Sequence, residues 1–245
     1  MAMNPRLLRP LATFNPLAPL AIPSLQLWLD SSDPSTLTLN GSAPSQTVSE
    51  WRDRRIGSDR KAAQATGANQ PDYRPTGING KPTVFFKASS WMDTSGTNFA
   101  FAQPVSYFHI WRTPAAALTG TVFDADIGTR HILSSNSSAF LTNVFAGSAF
   151  VTTSTGRTAE EVVAAAHIFS GAASQAAVNT RTLATLASSP GTANSPTHYK
   201  VGAFTNDTAS LLGDMAEFMV FSAAITAANV QALMDYARAK WGVAV

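Results

Sequence analysis

The sequence predicts an all-β sandwich or jelly roll closed by one C-terminal helix. Three observations lead there. Short runs rich in β-branched and aromatic residues recur along the chain, punctuated by Gly, Pro, Asn and Ser; this is the composition of pleated, half-buried strands broken by turns. Helical periodicity occurs once, between Thr226 and Gly242. Many strands, polar turns and almost no helix are the pattern of two packed antiparallel sheets.

Residues 1–23 come first and read as an extended arm. Pro5, Pro10, Pro16, Pro19 and Pro23 stand among Leu7, Leu8, Leu11, Phe14, Leu17 and Leu20. Proline at this density fixes φ and removes N–H donors, so neither a helix nor a central strand persists. An extended apolar segment needs a surface to lie on. The arm is expected to dock on its own domain or, the preferred reading, on a partner chain through Arg6, Leu8, Leu11, Phe14 and Leu17.

Residues 24–245 are read as one domain. Strands are expected over 24–30, 84–86, 105–111, 139–145, 162–169, 175–186, 199–204 and 215–221, with a turn at 31–35. The closing helix, 226–241, has Thr226 as N-cap and Gly242 as C-terminal cap. Val230, Leu233, Ala237 and Trp241 form its apolar stripe, with Trp241 as the anchor. Asp235 and Arg238 fall on other faces, and Lys240 sits in the last turn, where a cation suits the helix dipole.

Composition excludes several function classes. Hydrophobic residues make up 45% of the 245, ordinary for a globular chain. Charged residues are only 13%, about half the usual share, so the surface is rich in uncharged polar groups and repels copies of itself weakly. A formal net charge of +2 gives no argument for nucleic acid. With no cysteine there is no disulfide, thiolate metal site or cysteine nucleophile. No run approaches the roughly 18 apolar residues that span a bilayer. Arg6 and Arg9 followed by apolar residues imitate a signal peptide, but the prolines interrupt any continuous apolar stretch, so none is expected.

Short motifs then carry a resemblance. Leu27-Trp-Leu-Asp30, Val48-Ser-Glu-Trp-Arg-Asp53, Arg74-Pro75 and Val84-Phe-Phe86 resemble the opening of concanavalin A-like lectin/glucanase domains of the laminin G type, common in bacterial and bacteriophage proteins. Ala166-His-Ile-Phe-Ser-Gly171 with Ala177-Val-Asn179, and Gly213-Asp-Met-Ala-Glu217 through Trp241-Gly242, resemble its middle and its end, so that 24–243 are covered. The resemblance implies a two-sheet antiparallel jelly roll, often with a sugar or calcium site at one rim.

Candidate sites follow from residue chemistry. Glycosidases on this fold need carboxylates sharing one face. Glutamate occurs at Glu50, Glu160, Glu161 and Glu217. Glu160 and Glu161, and Asp214 and Glu217, would point to opposite faces of regular strands, so no enzyme is expected. Calcium takes clustered oxygens, for which Asp124 and Asp126 with Asp207 are the candidates; the alternative is turn aspartates capping backbone groups, and no cofactor is expected. Trp91 and Asp93 offer an aromatic platform beside a polar group for a sugar, against a core role in a strand. His109, His131, His167 and His198 lack metal-ligand spacing. The cluster Arg52-Asp-Arg-Arg55 with Asp59-Arg-Lys61 reads as a solvated loop or interface patch.

The function these features suggest is a non-catalytic structural protein of a bacteriophage virion (decoration, tail or fibre-associated), made in the host cytoplasm without a signal peptide. Its partners would be other virion proteins or copies of itself. The alternative is a carbohydrate-binding module for cell-surface glycans. Neither nucleic acid nor a membrane is an expected partner.

Overall fold

The computed structural model describes residues 15–94, 99–113, 120–125, 132–136, 141–154, 158–194, 197–204 and 210–245. These form strands β1 (Leu25–Asp30), β2 (Leu37–Asn40), β3 (Thr47–Arg52), β4 (Lys61–Ala63), β5 (Asp72–Arg74) and β6 (Thr83–Phe86). Next come β7 (Met92–Asp93), β8 (Val105–Arg112), β9 (Gly120–Ala125), β10 (Ile132–Asn136), β11 (Leu141–Phe145) and β12 (Val151–Ser154). The chain closes with β13 (Val163–Phe169), β14 (Gln175–Val178), β15 (Ala184–Thr185), β16 (Tyr199–Val201), β17 (Gly213–Phe221) and helix α1 (Ala227–Trp241).

The pairings are antiparallel and resolve into two layers. In the first sheet β15, β14, β13, β8 and β17 lie in that order, and β17 carries β1 and β6 end to end along its other edge. In the second, β2, β3, β4, β7, β16, β9, β10, β11 and β12 are successive neighbours. β5 joins the layers, pairing with β6 and, through Asp72 opposite Thr47, with β3. The all-β sandwich with one C-terminal helix is therefore the observed fold.

The first sheet is covered on both faces. Leu27, Leu29, Tyr107, Trp111, Phe218 and Val220 face the interior, against Val48, Trp51, Phe123, Val144, Tyr199 and Val201 of the second sheet. The alternate residues Trp28, Phe108, Ile110, Ala164, Ala166 and Met219 pack beneath Val230, Leu233, Met234, Ala237 and Trp241 of α1. Two apolar faces explain why β13 and β17 are buried at every position and read as continuous apolar runs.

The helix begins in a capping box: Thr226 accepts from the Asn229 amide, and the Asn229 side chain accepts from the Thr226 amide. It ends at Gly242 in the left-handed region, φ 73°. Lys240 departs from the expectation. It is buried and turned into the protein, donating to Asp30 at 2.7 Å and Glu217 at 2.8 Å instead of serving the helix dipole at the surface.

Other departures have local causes. The expected strand 175–186 splits into β14 and β15 around a turn with Asn179 at φ 49°. The short strands β2–β5, β7, β9, β10 and β12 were not among those expected. The arginine cluster is solvated only in part: Arg52 and Asp59 are exposed, whereas Arg55 donates to the Leu25 carbonyl at 2.8 Å and pairs with Asp53, and Arg60 donates to the Gln26 side chain at 3.1 Å, clamping β1. Within 15–23, Ala18–Ala21 make one 3-10 turn, and Ala18 and Ile22 join the apolar layer under α1. Leu17 is 49% exposed, while Arg6, Leu8, Leu11 and Phe14 lie outside the described residues.

Candidate functional site

The outer face of the second sheet collects the accessible polar chemistry. Along β3, Val48 and Trp51 are both interior although three positions apart, because Thr38 and Leu39 of β2 face Glu50 and Val48 across a bulge at Ser49. Such an extra residue re-aims its neighbours, and here both Ser49 and Glu50 turn outward. They line a cleft of about 390 Å³ with Thr38, Asn40, Arg52, Ala63, Gln64, Ala65 and Gln70.

The floor of the cleft is fixed by hydrogen bonds. The Gln70 side-chain Oε1 accepts from Asn40 Nδ2 at 3.1 Å and from the Thr47 hydroxyl at 2.7 Å, while its Nε2 donates to the Gln64 backbone carbonyl at 2.8 Å. Gln64 donates onward to the Trp91 carbonyl at 3.3 Å and accepts from the Thr66 amide at 2.9 Å. Arg52 reaches the Thr38 hydroxyl at 2.8 Å and Glu50 at 3.4 Å. The hydrogen bond from Lys61 is the largest influence on the Glu50 carboxyl; burial opposes it, and the charge of Lys61 with the hydrogen bond and charge of Arg52 help to hold the group below the usual glutamate range. Glu50 is thus an ionised, solvent-reachable carboxylate set among hydroxyl, amide and cationic groups.

A row of register partners crosses the sheet from the cleft. Glu50 faces Ala63, Ala63 faces Asp93, and Lys200 faces both Asp93 and Asp124. Their strand neighbours Ala62, Met92, Phe123, Tyr199 and Val201 are interior, so the row Glu50–Ala63–Asp93–Lys200–Asp124 points outward together. Three carboxylates thus share one face, a grouping that the comparison of Glu160 with Glu161 and of Asp214 with Glu217 did not consider. That comparison stayed within single strands, whereas this row is assembled across five. A correction applies to Asp214 and Glu217. The β17–β8 register slips between Met215 and Glu217, which puts Ala216 and Glu217 on the same outer face of the first sheet as Asp214.

Of the residues singled out by sequence, Asp93 and Asp124 are brought together on either side of Lys200, Asp93 half-buried and Asp124 buried. Asp126 and Asp207 lie outside the described residues, and among the described residues no group of three or more His, Asp or Glu is placed to hold a metal. Trp91, whose carbonyl accepts from Gln64, is not an open platform: it is half-buried with the Lys200 ammonium 4.0 Å above its ring. Sequence reasoning missed Glu50, Gln64, Gln70 and Lys200; the cross-strand register that joins them leaves no mark on local sequence.

Two further polar clusters are internal. Under α1, Glu217 accepts from Trp28 Nε1 at 2.8 Å, Trp241 Nε1 at 2.6 Å, the Tyr236 hydroxyl at 2.6 Å and Lys240 at 2.8 Å. Burial, then the charge of Asp30, push its carboxyl up, opposed by Lys240 and Tyr236. This network fastens the helix to the first sheet. Between the sheets, the His109 and His167 rings stack nearly parallel with centroids 5.3 Å apart and share a hydrogen bond of 3.2 Å. Burial drives the His167 pKa down to about 3, so the ring is neutral.

No protein-family model matches the chain, and no curated protein matches it in sequence. Solved structures do match. A GH54 α-L-arabinofuranosidase mutant soaked with 4-nitrophenyl α-L-arabinofuranoside aligns over 87% of this chain and 59% of its own, with TM-score 0.60 and 12% identity. Trypanosoma rangeli sialidase in complex with the inhibitor DANA aligns over 86% of this chain and 32% of its own, with TM-score 0.57 and 12% identity. A mutant of the same sialidase displaying trans-sialidase activity aligns over 91% and 36%, with TM-score 0.53 and 12% identity. The chain therefore spans about a third of the sialidase and about three fifths of the arabinofuranosidase. At such identity the likeness shows a shared sandwich fold. It also corrects the expected function: the matching structures named above are glycosidases, nothing supports a place in a bacteriophage virion, and the expectation that the chain is no enzyme falls with it.

Proposed function

We propose that this chain is a glycan-recognising β-sandwich of a glycoside-processing protein, similar in plan to concanavalin A-like lectin/glucanase domains, and that saccharide lies on the outer face of the second sheet. One observation carries the reading. The cleft at β2–β4 presents Thr38, Asn40, Ser49, Glu50, Arg52, Gln64 and Gln70 on a hydrogen-bonded floor, the mixture of hydroxyls, planar amides and charges that exchanges hydrogen bonds with sugar hydroxyls. The glycosidase fold of the neighbouring structures supports it.

A second reading, cleavage of the bound glycoside, is favoured by Glu50 and Asp93 sharing that face two strands apart. Two strand spacings are roughly 10 Å, close to the separation of inverting carboxylate pairs. Both readings meet one test. The chain is screened on a glycan array and against nitrophenyl arabinofuranosides and sialosides, beside Glu50→Gln and Arg52→Ala. Glycan binding weakened at least tenfold in either folded variant supports recognition in the cleft. Nitrophenol release lost in Glu50→Gln supports cleavage there. Binding that both variants leave unchanged, or no binding and no release by any form, would overturn the proposal.

A further inference from the structure

A second contact stands at the far side of the same sheet, in the β11–β12 hairpin. Val144 and Val151 face each other across it with both side chains interior. The next pair toward the tip, Phe145 and Phe150, must therefore point outward. Their rings lie 5.0 Å apart at 36°, and Phe150 is 55% exposed, the one aromatic left so open among the described residues. One step the other way, the exposed Thr152 hydroxyl donates to the Asn143 side chain at 2.8 Å. Beyond the aromatic pair, the hairpin tip and the 189–193 segment enclose a shallow cleft of about 360 Å³ lined by Ala146, Gly147, Ser148, Ser189, Gly191 and Thr192.

The cleft is built and held shut at its base. Ala146 and Ser148 amides both donate to the Pro190 carbonyl, at 2.8 and 3.1 Å, and Ala193 donates to the Ala146 carbonyl at 3.1 Å. Gly191, at φ +127°, lets the two segments touch, because a Cβ there would lie 1.8 Å from the Ala146 oxygen. An open aromatic pair flanked by hydroxyls, an amide and a glycine-lined cleft matches the two sides of a sugar ring: the rings take its C–H face, and the polar groups take its hydroxyls.

This pair is separated from the polar cleft by β7, β16, β9 and β10 on one continuous sheet. Five strand spacings from β4 to β11 are about 24 Å, more than one or two sugar rings can bridge. Resting on the proposed glycan reading, we infer that the ligand is an extended oligosaccharide whose two ends are held separately, by the polar cleft at β2–β4 and by Phe145 and Phe150 at β11–β12. The aromatic contact adds to the affinity of the polar cleft only when one chain reaches both.

The experiment is calorimetry of the full chain with linear arabino-oligosaccharides from disaccharide to hexasaccharide and with sialyllactose, beside Phe150→Ala and Arg52→Ala, with sedimentation of each variant. The expected result is affinity rising at least tenfold from disaccharide to hexasaccharide. Phe150→Ala removes that gain while leaving disaccharide binding to the polar cleft. Equal affinity for short and long chains, with binding still weakened by Arg52→Ala, would overturn the inference and leave the glycan reading standing. An oligomer dissolved by Phe150→Ala with unchanged affinity for the hexasaccharide would assign the aromatic pair to a second copy of this chain and overturn the inference. No binding of any saccharide would overturn both.

Discussion

Lowering the pH from about 7 to about 5 is expected to destabilise the fold through His167. In the native state its ring is enclosed between the sheets, bonded to His109 and within 3.3 Å of the Thr153 hydroxyl, and burial lowers its pKa to about 3. In the unfolded chain it takes a proton near its ordinary value of 6.5. The unfolded state therefore binds one more proton between these limits. The neutral ring's contribution is fully present above about pH 6.5 and is lost as pH falls toward 3. Linkage puts the loss between pH 7 and 5 at about 2 kcal/mol, approaching about 1.4 kcal/mol per pH unit at the acid end. Urea denaturation of the wild type and His167→Gln across this range isolates the effect, since carboxylates titrate in both. The variant should be less stable near pH 7 and lose about one proton's worth of slope. Identical pH slopes for the two proteins would refute the reasoning.

Three more expectations follow from buried polar groups and caps. Lys240→Met leaves the Asp30 and Glu217 carboxylates buried without their shared cation, and denaturant titration should show a loss of about 3–5 kcal/mol. Thr226→Ala removes one half of the capping box and should cost about 1 kcal/mol in the same assay. Burial raises the hydroxyl pKa of both Tyr107 and Tyr236, aided at Tyr107 by Tyr199 and at Tyr236 by Glu217. In an alkaline spectrophotometric titration, Tyr107 and Tyr236 should ionise only as the protein unfolds.

The extent of the terminal helix was legible because its signals are local: a Thr226 cap, an apolar stripe and Gly242 after the last turn. So were β1, β8, β13 and β17, whose apolar runs reflect burial on both faces, and β6, through its short run Val84-Phe-Phe86. The second sheet was harder to see. Strands such as β2, β4 and β7 are two to four residues long and alternate weakly. The site was least legible because no strand carries it. Glu50 faces outward through a bulge at Ser49, and Asp93, Lys200 and Asp124 meet it only through register. Lys240 misled for a similar reason: its place in the last turn suggested a surface cation, while its partners Asp30 and Glu217 sit 210 and 23 positions away.

The outer face of the second sheet as a glycan surface is the central claim, and amide chemical-shift mapping tests it most directly. Titrating the isotopically labelled chain with arabino-hexasaccharide should move the amides of Glu50, Arg52, Gln64 and Gln70 together with those of Phe145 and Phe150, leaving α1 unperturbed. Shifts confined to the helix or to the outer face of the first sheet, or no shifts at millimolar saccharide, would contradict it.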